Sequence, residues 1–282
     1  MTKQKLIHNG KILDADKLLI SPNNRSFLYG DGCFETIKVV NGKISLADYH
    51  FERLFASLEL LQFEKPSHLT ADLLKEQILD IVKKNSHQKL GRIRLTFFRG
   101  NGGLYDAENH FPNYTIQSWE LNSTTNQLNE NGLVIDVFKD AKKGYDNYSH
   151  LKSNNYLSYA MAALWAKKNY LNDALLLNSH NNISDATIAN IWIVKAGAIK
   201  TPALTEGCVA GVMRKHLLKC IKAEGMPLEE TQITFEDALQ AQEIFLTNAI
   251  SGIKWVKQCG KSNYLTQVGA LLHKKFVTSL FQ

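Results

Sequence analysis

The first residue of this chain whose type and position suit chemistry is a lysine placed just ahead of a helix. Lys152 stands in His150-Leu151-Lys152-Ser153-Asn154-Asn155-Tyr156-Leu157, before a run that is apolar on one side of a predicted helix. Burial there disfavours the ammonium and lowers its pKa towards nucleophilic use, although a lysine at such a place is also often a solvated charge. Asp185, in Ile183-Ser184-Asp185-Ala186-Thr187, reads as a carboxylate in a turn ahead of a strand, either a working acid or a plain turn aspartate. A third piece runs from Thr201-Pro202 to Gly211-Val212-Met213-Arg214, a loop entering a helix whose first backbone N–H groups can hold an anion. His50 and Arg53 are three apart and share one helix face. Arg92 and Arg94 are two apart on a predicted strand and point to one side, and Arg99 opens the glycine-rich Arg99-Gly100-Asn101-Gly102-Gly103. These arginines either bind a substrate carboxylate or face solvent from an edge strand.

Several chemistries have no residues to perform them. Neither G-x-S-x-G nor H-E-x-x-H occurs, and the glycine run is neither a Walker loop nor a dinucleotide fingerprint. The nine histidines do not cluster, and the four cysteines, Cys33, Cys208, Cys220 and Cys259, form no C-x-x-C pair. They read as buried thiols in a reducing cytoplasm, and no metal site is expected.

The elements that must position these groups follow from periodicity and turn chemistry. Asn9-Gly10 and Asn41-Gly42 mark two hairpins, since both suit a turn that needs positive φ at two residues. Leu54, Leu58 and Leu61 recur at helical spacing over Ala47 to Phe63, behind a Ser45-Leu46-Ala47-Asp48 that resembles a capping box. A second helix is predicted from Thr70 to Asn85, then strands at Arg92 to Phe98 and Asn113 to Glu120. The polar stretch 121–131 reads as a linker between a smaller N-terminal α+β domain, 1–120, and a larger C-terminal domain, 132–282. In the latter a strand over Leu133 to Phe138, an irregular 142–148 and a helix from Asn155 to Tyr170 are expected. Further strands are expected at Ala174 to Leu177, Ile191 to Val194 and near Glu243 and Lys254. Helices are expected from Gly211, near Phe235 and from Asn263.

With 282 residues, 44% hydrophobic, 21% charged and 5 prolines, the composition is that of a globular chain and excludes disordered, collagen-like and disulfide-knot classes. The +6 net charge is spread without a basic block or an aromatic stripe, which argues against nucleic acid. No apolar run is long enough for a membrane span, and the first residues lack the apolar core of a signal peptide.

Read together, the residues carry a resemblance. Arg25, Tyr29-Gly30-Asp31-Gly32-Cys33-Phe34-Glu35-Thr36, His50, Arg53-Leu54, Lys152, Asp185, Asn190, Thr201-Pro202, Gly211-Val212-Met213-Arg214 and Thr247-Asn248-Ala249 resemble, in order and over nearly the whole chain, the class IV aminotransferases. The resemblance implies an α+β, two-domain fold-type IV pyridoxal-phosphate enzyme, a small α/β domain followed by a larger one with a β-barrel-like core. That family includes branched-chain aminotransferases, D-amino-acid aminotransferases and 4-amino-4-deoxychorismate lyases. The Gly-Asp-Gly before Phe-Glu-Thr, and the segments 207–214 and 247–249, look most like the lyase. The Arg-x-His that grips substrate in the D-amino-acid branch is replaced by Leu104-Tyr105-Asp106, and where that branch usually has tyrosine this chain has Phe34.

The resemblance also implies roles. Lys152 would hold pyridoxal 5'-phosphate covalently and then move the substrate proton, and Asp185 would partner the pyridine nitrogen. Arg53 would bind the phosphate with backbone N–H groups of the Gly211, Val212 and Met213 segment and of Asn248 and Ala249. Phe34, Arg94 and Arg99 are the substrate-binding candidates. Asp185 stands where the family has glutamate, one methylene shorter, a reach of about 1.5 Å. That shortening keeps open a cofactor-binding protein without turnover. A homodimer with sites near the subunit interface, a small amine substrate and a place in folate synthesis are implied as well.

Overall fold

In the computed structural model the chain is described over residues 4–282. The described residues divide into two compact units, one of 4–123 with Lys152–Asn155 and Gln282, the other of Thr124–Leu151 with Tyr156–Phe281.

The first unit begins with β1 (Lys5–His8) and β2 (Lys11–Asp14), joined by Asn9 and Gly10 at φ 47° and 80°. The short helix α1 (Arg25–Tyr29) follows, capped by the Asn24 side chain. Then come β3 (Gly32–Val40) and β4 (Lys43–Ile44), turned by Asn41 and Gly42 at φ 49° and 74°. Next are α2 (Ala47–Leu60), α3 (Ala71–Lys84), β5 (Leu90–Arg99) and β6 (Pro112–Glu120). The strands form one antiparallel sheet in the order β2-β1-β6-β5-β3-β4. Ile37, Val39, Ile93, Leu95 and Ile116 from the sheet enclose one core with Leu54, Leu58, Leu74 and Ile78 from α2 and α3. Thr70 caps α3 by accepting from the Leu73 N–H. The capping box expected at Ser45 does not form. Leu46 is the N-cap of α2, in a left-handed conformation with no side-chain cap bond. The Ser45 N–H extends the preceding hairpin by donating to Lys38 O.

The second unit holds β7 (Leu133–Lys143), α4 (Leu157–Lys168), β8 (Asp173–Asn178), β9 (Ile183–Ala186), β10 (Asn190–Lys195) and β11 (Ala198–Pro202). It continues with α5 (Val212–Ala223), β12 (Leu228–Thr231), α6 (Phe235–Leu239), β13 (Glu243–Asn248), β14 (Gly252–Cys259), β15 (Ser262–Asn263) and α7 (Val268–Leu272). Its sheet runs β12-β11-β10-β13-β14-β7-β8-β9 with β15 on β14, and is mixed, since β7 lies parallel to both neighbours. Asp185 is therefore in a strand and not a turn. Thr201-Pro202 end a strand, and helix resumes at Val268, not Asn263. The polar stretch expected as a linker is tied into this unit. Asn129 bonds Trp255 through both its side-chain atoms, and Asn126 Nδ2 donates to Phe281 O. No helix among the described residues is long and apolar enough to cross a membrane.

Candidate active site

The pleat of β3 sends Cys33, Ile37 and Val39 into the core of the first unit, and Glu35, two residues from Cys33, to the same side. A carboxylate there, 2% exposed, must be paired. Arg53 from α2 grips it with two nitrogens, Nε at 2.7 Å from Oε1 and Nη2 at 2.5 Å from Oε2. His50, one turn earlier, meets Oε2 through Nδ1 at 2.7 Å. Burial alone would raise the Glu35 pKa, but Arg53 and His50 hold it down at about 2. Burial lowers that of His50, so the ring is neutral and its Nδ1–H donates. The helical spacing of His50 and Arg53 thus serves the carboxylate directly. The fork also fixes the guanidinium, the group expected on the phosphate, in one orientation.

Lys152 is grouped with this unit because its backbone adds to the start of β3. Phe34 N–H donates to Lys152 O at 2.9 Å, Asn154 N–H donates to Gly32 O at 2.9 Å, and Cys33 bridges to Ser153. Gly32 permits the approach, since a Cβ there would fall 2.2 Å from Phe97 O. Phe34, on the opposite side of β3 from Glu35, is the meeting point of two cations. Lys152 Nζ is 4.7 Å and Arg94 Cζ 3.7 Å from its ring centroid. Arg94 comes from β5, where it pairs with Thr36. Arg99 is placed differently, with its guanidinium donating to Asp31 Oδ2, Leu61 O, Gln62 O and His110 Nδ1. Arg25 donates to the same Asp31 oxygen. The Gly-Asp-Gly motif thereby anchors the glycine loop, and Arg99 braces it.

In the second unit Asp185 is 2% exposed and receives four hydrogen bonds. They come from Lys143 Nζ at 2.9 Å, Tyr159 OH at 2.9 Å, Val209 N–H at 2.8 Å and Asn190 Nδ2 at 2.9 Å. The expected anion site at α5 has Gly211 as N-cap, which supplies no side-chain acceptor, and no acid in the first turn. The Val212 and Met213 amides therefore open the helix with no cap from the chain itself. Glycine is required at 211, because a Cβ would lie 2.0 Å from Asn190 Oδ1. Asn248 closes β13 and folds the next turn by accepting from Ile250 and Ser251 N–H groups, with Ala249 inside that turn. Thr247 Oγ1 accepts from Trp192 Nε1 at 3.0 Å.

Two contributors escaped the sequence reading. Lys143 falls in the 142–148 stretch that reads as irregular, because a bulge between Phe138 and Lys142 breaks the alternation that marks a strand. Tyr159 was one apolar position of α4. A basic residue following the strand expected over Leu133 to Phe138 was the one available signal.

In each unit the residues present fit pyridoxal phosphate. An uncapped helix start suits a phosphate, a buried carboxylate suits a pyridinium, and a lysine held at Phe34 supplies the amine. The comparisons agree. The model of the amino-transferase class IV family matches residues 32–259. A Methanocaldococcus jannaschii protein assigned provisionally as a branched-chain-amino-acid aminotransferase is 29% identical over 88% of this chain and 85% of its own. The aminodeoxychorismate lyase of Vibrio harveyi is 29% identical over 82% and 83%. The crystal structure of the branched-chain aminotransferase of Thermoproteus uzoniensis with norvaline has a TM-score of 0.87 over 99% of this chain and 95% of its own. At 21% identity, that likeness shows the fold. A family match of this extent makes the chain a member of the class IV aminotransferases, enzymes that depend on pyridoxal 5'-phosphate.

Proposed function

We propose that the protein is a lyase converting 4-amino-4-deoxychorismate to 4-aminobenzoate and pyruvate. The observation that carries this reading is the arrangement at Phe34, where an amine and a guanidinium bear on one aromatic ring. Such a surface suits a flat, carboxylate-bearing ring substrate better than an aliphatic amino acid. Past Arg99 the glycine loop presents Leu104 and Tyr105, 58% and 98% exposed, so it lacks both the Arg-x-His grip of the D-amino-acid branch and the arginine the lyase branch often carries there.

Bound pyridoxal phosphate supplies an electron sink for the carbon that carries the amine. Lys152 Nζ, as a neutral amine, takes the proton from that ring carbon. The neighbouring carbon–oxygen bond breaks, the proton leaves with the enolpyruvyl group as pyruvate, and the ring becomes aromatic. In the first unit Arg94 would orient the ring carboxylate and Arg53 would bind phosphate; in the second the Val212 and Met213 amides would bind phosphate and Asp185 would accept from the ring nitrogen. The same lysine would serve transamination of a branched-chain or D-amino acid, the reading that the Methanocaldococcus relative favours.

The enzyme would work in the cytoplasm, in folate synthesis, as a homodimer. Phe27, Leu104 and Tyr105 of the first unit, 74%, 58% and 98% exposed, are apolar side chains of the kind a subunit contact covers. Sedimentation of the loaded protein tests the dimer. Absorbance with pyridoxal phosphate, beside Lys152→Ala, followed by a pyruvate assay on 4-amino-4-deoxychorismate, tests the reaction. A visible band lost in the variant, with pyruvate and 4-aminobenzoate formed by the wild type, is expected. A band without pyruvate turns the assignment to transamination.

A further inference from the structure

Lys143 is the one ammonium hydrogen-bonded to Asp185 among the described residues, and it closes β7 with its side chain 9% exposed. The bonds to Asp185 are unevenly shared. Oδ2 takes Lys143 Nζ, Tyr159 OH and the Val209 N–H, whereas Oδ1 takes only Asn190 Nδ2. A carboxylate offers about two acceptor positions per oxygen, so Oδ1 is the atom with capacity for another donor. Two titratable groups beside the pair stay uncharged. Burial pushes the Tyr159 hydroxyl well above its ordinary range and the Cys208 thiol up to about 12. Asp185 and Lys143 thus form an ion pair, and Arg214, the other charge that bears on Cys208, is itself paired with Glu230.

We infer that Lys143 is a positioning residue that holds Asp185 by Oδ2, turns Oδ1 to the ring nitrogen and sets how strongly that nitrogen keeps its proton. The inference rests on the pyridoxal-phosphate assignment. A lone carboxylate would stabilise a pyridinium as a full anion. The neutral pair stabilises it less, so the nitrogen releases its proton at lower pH and pulls electrons less strongly. Lyase chemistry tolerates that moderation, because formation of an aromatic product drives it.

The test is the ring-nitrogen 15N chemical shift of the full-length protein loaded with 15N-labelled pyridoxal phosphate, followed against pH. In the wild type the nitrogen is expected to titrate within the range where the protein stays folded. A nitrogen protonated across that whole range overturns the inference without any variant. Lys143→Met and Lys143→Gln are each expected to move the midpoint upward by about one pH unit or more. Lys143→Arg is expected to keep it near the wild-type position. Equal midpoints in wild type and a folded Lys143→Gln also overturn it, because loss of packing alone would weaken cofactor binding without moving a midpoint. Failure of the wild type to bind the labelled cofactor is a different result and overturns the assignment beneath.

Discussion

Glu35 shows how a single residue organises its surroundings. A carboxylate placed on the core side of β3 is tolerable only because Arg53 and His50 reach it. Removing it strands a guanidinium in a largely buried position. Glu35→Gln is expected to cost about 3 kcal/mol, at the low end for breaking a buried pair because Arg53 keeps some exposure, read by urea denaturation. The pH dependence has a definite sign. The folded carboxylate titrates at about 2, below its ordinary 4.5. Its stabilisation is whole above the unfolded value and is lost as the pH falls towards the folded one. Melting temperatures between about pH 5 and pH 3 should therefore fall more steeply for the wild type than for Glu35→Gln. Parallel curves would remove Glu35 from the acid response.

At the scale of elements, the start of α5 and the strand β10 depend on each other through one missing methyl group. Gly211 has φ −63°, so alanine would fit the backbone, and only space forbids it. A Cβ 2.0 Å from Asn190 Oδ1 displaces the side chain whose Nδ2 holds both Asp185 Oδ1 and Val209 O. Gly211→Ala is expected to weaken pyridoxal-phosphate binding by roughly fivefold or more, from overpacking strain of about 1–3 kcal/mol, measured by absorbance titration. Unchanged affinity would mean that Asn190 yields without moving Asp185. Local signals revealed much of this architecture. Asn9-Gly10, Asn41-Gly42 and Thr70 each carry their turn or cap in their own chemistry. What stayed hidden depends on distant partners. The bulge in β7 hid Lys143, the short strand β9 made Asp185 look like a turn residue, and the backbone of Leu46 overrode the cap that Ser45 suggested. Arg53 was legible as sharing a helix face with His50, but its bond to Glu35 joins two elements that spacing alone does not connect.

Across the whole molecule the four cysteines report on both units at once. Cys33 belongs to the first, Cys208, Cys220 and Cys259 to the second, and all four are free thiols. Burial pushes Cys33, Cys208 and Cys259 up to about 12, so near pH 8 little of the reactive thiolate forms at any of them, and reagent access is blocked too. Cys220, on α5, is only partly buried, and its pKa is raised by that partial burial. Brief iodoacetamide treatment of the native protein, read by intact mass, is expected to add at most one label, at Cys220. In denaturant all four should react. Labelling of a buried cysteine under native conditions measures opening of the unit that contains it. Early modification at Cys33 alone would mean that the unit holding Lys152 opens independently. Matched rates at Cys33, Cys208 and Cys259 would mean that the chain unfolds as one cooperative body.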